Sequence, residues 1–215
     1  MTEYLNLNKI EESLRTHGYF VYNQKINNLK EKYDLALSLC KNKGYERGSN
    51  YWIDFFNLKD SLKHLVYNSF VSELYSRQEC LPKDVCITNE IKSDKISRNN
   101  YLHFDRLRSL KMLVYLSDVC SNSGPFIVCP DSHKKGSELR KKFNTTSEYK
   151  DKKNRIKIDY PELKYNPEVP IIGPAGTTIL FDSDVFHMGG NIKKGFSRTV
   201  IRSHWYKDYN WRVNS

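Results

Sequence analysis

The sequence predicts a mainly β protein, a barrel or sandwich with helices packed against one outer face. Three observations carry this. From about Val85 onward, short β-rich runs alternate with turn residues at the spacing of all-β folds. Before that point apolar residues recur at i, i+4 and i+7, the period of a helix. The chain has 215 residues, 39% apolar and 13% aromatic, enough to build the core of one domain.

The helices come first. Asn8 precedes a run with Ile10 and Leu14, and Glu11 lies in its first turn. Asn28 precedes Leu29, Tyr33, Leu37 and Cys40, with Glu31 at the third position. Asn57 precedes Leu58, Leu62, Leu65, Val66 and Ser69, with Asp60 three residues in. Each asparagine is expected to cap its helix by accepting an orphan backbone N–H, and each acid complements the helix dipole. Between the first two helices, Gly18–Tyr22 reads as a strand.

Eight further strands are expected: Val85–Ile91, Ser97–Phe104, Leu110–Ser117, Phe126–Cys129, Val169–Ile172, Thr177–Phe181, Val185–His187 and Ser197–Tyr206. Ser123-Gly124-Pro125, Pro130-Asp131, Gly173-Pro174, Gly189-Gly190 and Gly195 separate them as turns. One domain is expected over residues 1–215, with 1–84 as mostly helical support and 85–206 as the β core. An insertion at about 133–168 breaks the strand rhythm. It is too long for a turn, which makes it a lid over a site or a solvated loop.

Composition removes several function classes. No apolar run approaches the roughly 18–20 residues of a membrane helix. The opening residues lack a charged-then-apolar export pattern, so the cytoplasm is the expected compartment. The five cysteines are odd in number and show no CxxC spacing, which fits free thiols better than a disulfide framework or a thiolate zinc site. The net charge is +10, but Lys134–Lys164 holds eleven Lys and Arg against five Asp and Glu and so carries most of it. The excess is local. It suits an anionic partner as well as simple solubility.

The chemistry starts at His103-Phe104-Asp105. Positions i and i+2 of a strand face one side, so an imidazole and a carboxylate point into the same space. Alone this tripeptide reads first as a surface His–Asp hydrogen bond. His187 ends a β-rich run before a glycine pair, where it reaches a barrel mouth; alone it is equally a satisfied core histidine. Together they make a two-histidine, one-carboxylate set that leaves three coordination positions open, the pattern of non-haem Fe(II) oxygenases. Arg198 follows His187 by eleven residues. A hairpin of that length brings it beside the histidine strand, where it can bind a carboxylate through two parallel hydrogen bonds. The alternative is an ordinary strand arginine with its charge in solvent.

At these residues the chain resembles the phytanoyl-CoA dioxygenase family of Fe(II)- and 2-oxoglutarate-dependent oxygenases. The resemblance rests on His103-Phe104-Asp105, on Leu113–Gly136 (LVYLSDVCSNSGPFIVCPDSHKKG) and on Pro174–Trp205 (PAGTTILFDSDVFHMGGNIKKGFSRTVIRSHW), with Glu11–Tyr22 similar to the family's usual start. It implies a double-stranded β-helix, a jelly-roll or cupin-like barrel. It implies iron held by His103, Asp105 and His187, and Arg198 paired with the distal carboxylate of 2-oxoglutarate. Phe104 stands where members often have Gln, and Pro130-Asp131-Ser132-His133 where they often have Pro-Gly-Ser-His; neither changes a ligand, and His133 is read as a loop residue.

The implied reaction consumes O2 and 2-oxoglutarate and releases succinate and CO2 while a substrate C–H is hydroxylated. Related halogenases lack the carboxylate ligand, so an intact Asp105 favours hydroxylation over halogenation. By strand parity Tyr101 shares the face of His103 and Asp105, and Lys111 shares a face with Leu113 and Tyr115. Both are candidates for a cosubstrate carboxylate. Arg202 shares the face of Arg198 and is a candidate for an anionic substrate, small or carrier-bound. Two other readings stay open at this point: a cupin-like metal-binding protein without oxygenase activity, and a basic nucleic-acid-binding protein. The latter needs exposed aromatics interleaved with basic residues, and the insertion offers Tyr149, Tyr160 and Tyr165 without a recognised motif.

Overall fold

The computed structural model describes residues 6–41, 48–67, 71, 81–92, 100–105, 108–145 and 164–206. Ser69, Cys80, the start of the strand expected at Ser97 and residues 146–163 of the insertion, with Tyr149 and Tyr160, lie outside them.

Helix α1 (Leu7–His17) leads into strand β1 (Tyr19–Asn23), then α2 (Leu29–Lys41), β2 (Gly48–Asp54) and α3 (Asp60–Val66). The β core follows as β3 (Asp84–Ile91), β4 (Leu110–Tyr115) and β5 (Phe126–Cys129). Helix α4 (His133–Thr145) interrupts it, and β6 (Val169–Ile171), β7 (Thr177–Asp182), β8 (Phe186–Gly189) and β9 (Ser197–Trp205) complete it. All pairing is antiparallel: one sheet runs β1-β7-β4-β9-β3-β2 and the other β6-β5-β8. The two face each other as the double-stranded β-helix that the family resemblance implies.

Side-chain alternation explains why the core strands are buried along their whole length. In β4, Leu110, Met112 and Val114 turn outward, into a core with Leu14, Ala36, Leu62 and Leu65 of the helices. Leu113 and Tyr115 turn inward, toward Phe126, Val128 and Ile171 of the small sheet. Tyr115 ties the sheets directly: its hydroxyl donates to the Ile171 carbonyl at 2.8 Å and accepts from the Phe126 N–H at 2.9 Å. Strand β9 repeats the alternation, with Ile201 and Trp205 against the helices and Val200 inside.

Several expectations change. The cap of α1 is Asn6, whose side chain accepts from the N–H groups of Asn8 and Lys9. Asn57 caps nothing: Asp54 caps a short 3-10 turn over Phe55–Asn57, so α3 starts only at Asp60. Strand β2 was not foreseen. It pairs with β3 along its full length, so the N-terminal part contributes two strands to the large sheet as well as helices. The strand expected over Ser97–Phe104 is, in its described part, a coil touching the sheet through one bridge, His103 to His187. The first thirteen residues of the basic insertion form α4 and are not a loop. And β8 does not form a hairpin with β9; the two lie in opposite sheets.

Leu180 lies wholly buried on the helix side of β7. Leu180→Ala is expected to cost about 2–5 kcal/mol of stability by leaving a cavity, measured by urea unfolding. Metal affinity of the folded variant should stay at the wild-type value, because the neighbouring Phe181 keeps the inner face; a parallel loss of metal binding would show that the two faces are not independent.

Candidate metal centre and its cavity

One ligand atom from each of His103, Asp105 and His187 lies within 4.8 Å of the others. The backbone arranges this. His103 N–H donates to the His187 carbonyl at 3.0 Å, and His187 N–H donates back to the His103 carbonyl at 2.8 Å. Asp105 N–H then donates to the Ser183 carbonyl at 2.8 Å. Three main-chain bonds thus fix the coil that carries His103 and Asp105 onto the strand that carries His187 and the loop before it.

The side chains are oriented as a metal requires. Nδ1–H of His103 donates to the Tyr101 carbonyl at 2.7 Å, and Nδ1–H of His187 to the Val185 carbonyl at 2.8 Å. A carbonyl can only accept, so each Nδ1 carries the proton and each Nε2 keeps its lone pair for an ion. Burial, with His103 beside it, pushes the His187 imidazole down to about 3, so no proton competes for it at neutral pH. Burial works against the charge of Asp105, but Lys111, His187 and His103 together hold its carboxyl well below the usual carboxylate range. The Lys111 ammonium lies 2.6 Å from Asp105 Oδ2. Phe126 and Phe181 pack their rings against His187 at 5.4 and 5.0 Å. Two imidazole nitrogens and one carboxylate oxygen on one side of a space fit a divalent ion with open positions.

The triad forms one wall of a cavity of about 300 Å3 between the sheets. Strand β9 supplies the facing wall, with Arg198, Val200, Arg202 and His204. Arg198 is buried there, 6% exposed. Its guanidinium donates to the Glu90 carboxylate and the Gly124 carbonyl, and its Nε has no partner among the described residues. It reaches the site across the cavity, from the opposite sheet. Lys111, Arg202 and the triad share the same cavity. Tyr101 does not line it: its ring is 40% exposed, and what it gives the site is its backbone carbonyl. His133 is no ligand: it opens α4, packs on Gly18 and donates from Nε2 to the Arg15 carbonyl at 3.0 Å.

Sequence reasoning missed Arg140. From α4 it lies buried, with Nε 2.6 Å from Asp184 Oδ1 and Nη2 2.6 Å from the Asp105 carbonyl, its guanidinium stacked 5.3 Å over the Phe104 ring. One side chain therefore grips the backbone of Asp105 and the loop leading to His187. Gly136 lets the helix sit this close, since a Cβ there would lie 1.9 Å from the Asp184 carbonyl oxygen. No signal in the sequence separates Arg140 from its ten basic neighbours in the insertion.

The comparisons meet this geometry. A family model, Phytanoyl-CoA dioxygenase, matches residues 63–200, a span holding all three metal-centre residues and Arg198. The chain belongs to the phytanoyl-CoA dioxygenase family. Membership and the donor set together make it an oxygenase of the Fe(II)- and 2-oxoglutarate-dependent kind. No curated protein sequence matches. Among solved structures, EvdMO1 shares 14% identity at a TM-score of 0.62 over 94% of this chain, which spans half (50%) of EvdMO1. The epimerase SnoN, in complex with Fe3+, alpha ketoglutarate and nogalamycin RO, shares 16% at 0.63, over 92% of this chain and 82% of its own. HygX from Streptomyces hygroscopicus, with nickel and 2-oxoglutarate bound, shares 16% at 0.62, over 91% and 85%. At such identities these likenesses establish the shared fold. No helix among the described residues is long and apolar enough to cross a membrane.

Arg140→Ala is expected to lower Fe(II) affinity about 10–100-fold, as removal of groups that hold ligands does, with Arg140→Lys recovering part of it. An unchanged affinity in the folded Ala variant would reduce α4 to a cover. A second outcome concerns acid. Burial holds His187 and His204 down to about 3 and about 4 in the folded chain, below the roughly 6.5 of an unfolded one. The unfolded chain therefore takes up protons first, and the stability of the metal-free protein should fall as pH drops from about 6.5 toward about 4. A flat unfolding midpoint across that window would contradict the burial of these rings.

Proposed function

We propose that the chain hydroxylates a C–H bond of a small molecule, holding iron through His103, Asp105 and His187 and 2-oxoglutarate through Arg198. The observation that supports this best is the triad itself, on the wall of a cavity whose opposite wall presents a buried arginine. The bound metal and cosubstrate supply the oxidising chemistry, in which one atom of O2 enters the substrate C–H and the other enters succinate as CO2 leaves.

The protein's own residues do the rest. His103 and His187 present neutral Nε2 atoms, and Asp105 presents a carboxylate kept ionised by Lys111. Glu90 and the Gly124 carbonyl hold the Arg198 guanidinium in place, so that it meets the distal carboxylate without rearranging. Lys111 is 5.7 Å from the Phe181 ring centre and close to Asp105. In this reading it sets the charge of that ligand and stands within reach of a cosubstrate carboxylate. Phe126 and Phe181 keep water from the His187 side. The cavity volume of about 300 Å3 is at the lower end for ligand sites and suits a small substrate; a carrier, if one is attached, would remain outside. The cytoplasm, where free thiols such as Cys120 persist, is the compartment this reading favours.

Titrating Fe(II) and 2-oxoglutarate into the protein without oxygen should produce the weak visible charge-transfer band of the chelate. Asp105→Ala and His187→Ala should remove it. Arg198→Ala should keep the iron and weaken 2-oxoglutarate by about 2–4 kcal/mol, the cost of truncating a buried charge-assisted pair. Unchanged cosubstrate affinity would take Arg198 out of that role, and turnover without Asp105 or His187 would take that residue out of the ligand set.

A further inference from the structure

Resting on that reading, we propose that Arg202 and His204, with Trp52 as their platform, form the substrate subsite. The class of substrate they select is a small oxyanion, a carboxylate or phosphate monoester, that also carries a hydroxyl or amine hydrogen.

The cations of the cavity are not equivalent. Lys111 is engaged by Asp105 and Arg198 by Glu90. Arg202 has no carboxylate within ion-pair distance among the described residues, and its Nε is buried without a hydrogen-bond partner. The Cys86 thiol, on the strand paired beside it, lies within hydrogen-bond reach of its guanidinium. Its guanidinium lies 5.6 Å over the Trp52 ring, and Trp52 itself is half-exposed at 50%, placing the pair toward the outside of the cavity.

The charge balance of the filled site leads to the same residue. Its three cations, Lys111, Arg198 and Arg202, face two lining carboxylates, Glu90 and Asp105. A divalent ion and a dianionic cosubstrate cancel one another. One positive charge then has no counterpart, and Arg202 carries it. A planar guanidinium stacked on an indole and without a carboxylate partner is suited to grip an oxyanion through two hydrogen bonds.

His204 supplies the second contact. It is 2% exposed and lies across the ladder from Lys111. Its Nδ1–H donates to Asp84 Oδ1 at 2.6 Å, and the Tyr206 hydroxyl lies 3.1 Å from the other oxygen of that carboxylate. Asp84 itself faces Lys83. With the proton fixed on Nδ1, Nε2 is an acceptor, and it has no partner among the described residues. The ring also packs on Trp52, at 5.2 Å between centroids. An unpaired buried acceptor disfavours ligands without a hydrogen to give it. The cation and the acceptor sit two residues apart on one face of β9, so one small molecule can meet both.

The test loads the protein with Fe(II) and 2-oxoglutarate without oxygen and titrates glycerate, glycerol 3-phosphate and uncharged glycerol by calorimetry. At least one of the two anions is expected to bind with a Kd of roughly millimolar order, the stronger of them telling carboxylate from phosphate, and glycerol to bind more weakly than either. Arg202→Gln should weaken the anion about tenfold or more with 2-oxoglutarate affinity unchanged, and Arg202→Lys should restore part of the loss. Propionate, which lacks the hydroxyls, should bind more weakly than glycerate to the wild type but not to His204→Phe. The proposal is overturned if neither anion binds, if Arg202→Gln binds them as well as the wild type does, or if that variant loses 2-oxoglutarate as Arg198→Ala does. A hydroxyl preference that survives His204→Phe overturns the histidine's part. Absence of the chelate band before any probe is added would instead overturn the underlying iron and 2-oxoglutarate reading, and the subsite with it.

Discussion

The pair of main-chain hydrogen bonds between His103 and His187 is the constraint on which the site depends. Ligands far apart in sequence can share an ion only if their backbones are held in register, and side chains alone hold position poorly because each carries its own rotamer freedom. Here the two histidines exchange N–H and C=O directly, and Asp105 follows with its own bond to Ser183. Everything nearby serves that register. Strand β5 fixes β8, the Phe126 and Phe181 rings fill the space behind His187, and Arg140 ties the Asp105 carbonyl to the loop before β8. Main-chain bonds, not side-chain rotamers alone, set where the three donor groups lie.

Much of this was legible in the sequence, for a physical reason. A β-strand between a helical layer and a barrel interior must alternate two kinds of inside, and β4 and β9 state that alternation residue by residue. Their boundaries and inward faces could therefore be read, and with them Lys111, Arg198 and Arg202. That His103, Asp105 and His187 belong together was legible because two histidines and a carboxylate at that spacing, followed by an arginine, match one chemistry, and the fold does bring the three side chains together. What was hidden depends on partners distant along the chain. Strand β2 is defined by pairing with β3, and its own residues, GSNYWID, alternate weakly. The coil around His103 looked like a strand because Tyr101 and His103 alternate with Leu102 and Phe104, yet it pairs at a single point. Parity therefore misled for Tyr101, whose ring turns to solvent. The caps moved because local competition decides them: Asp54 claims a turn that leaves Asn57 nothing to cap.

The basic insertion shows why charge counted along a chain is a weak guide. It holds most of the net positive charge, and its composition suggests a solvated surface. Yet its Arg140 is buried, at 8% exposure, and holds the Asp105 carbonyl and the loop before β8. The other determinants of the cavity's electrostatics, Glu90, Lys111, Arg198 and Arg202, come from the sheet. Sign and number of charges follow from composition; what a charge does follows from the surface that covers it.

Strand β9 has a consequence for how such a catalyst diversifies. It is hydrogen-bonded on both sides, to β3 and to β4, and its outward residues are locked among the helices. Its inward residues carry the charged wall opposite the His103, Asp105 and His187 triad and contribute none of its members. Exchanging Val200, Arg202 or His204 therefore edits the wall without loosening the strand or moving a donor atom of the triad. On the proposed assignment, substrate contacts and metal donors lie on separate structural elements, so a lineage can explore new substrates one residue at a time while its metal centre is inherited intact.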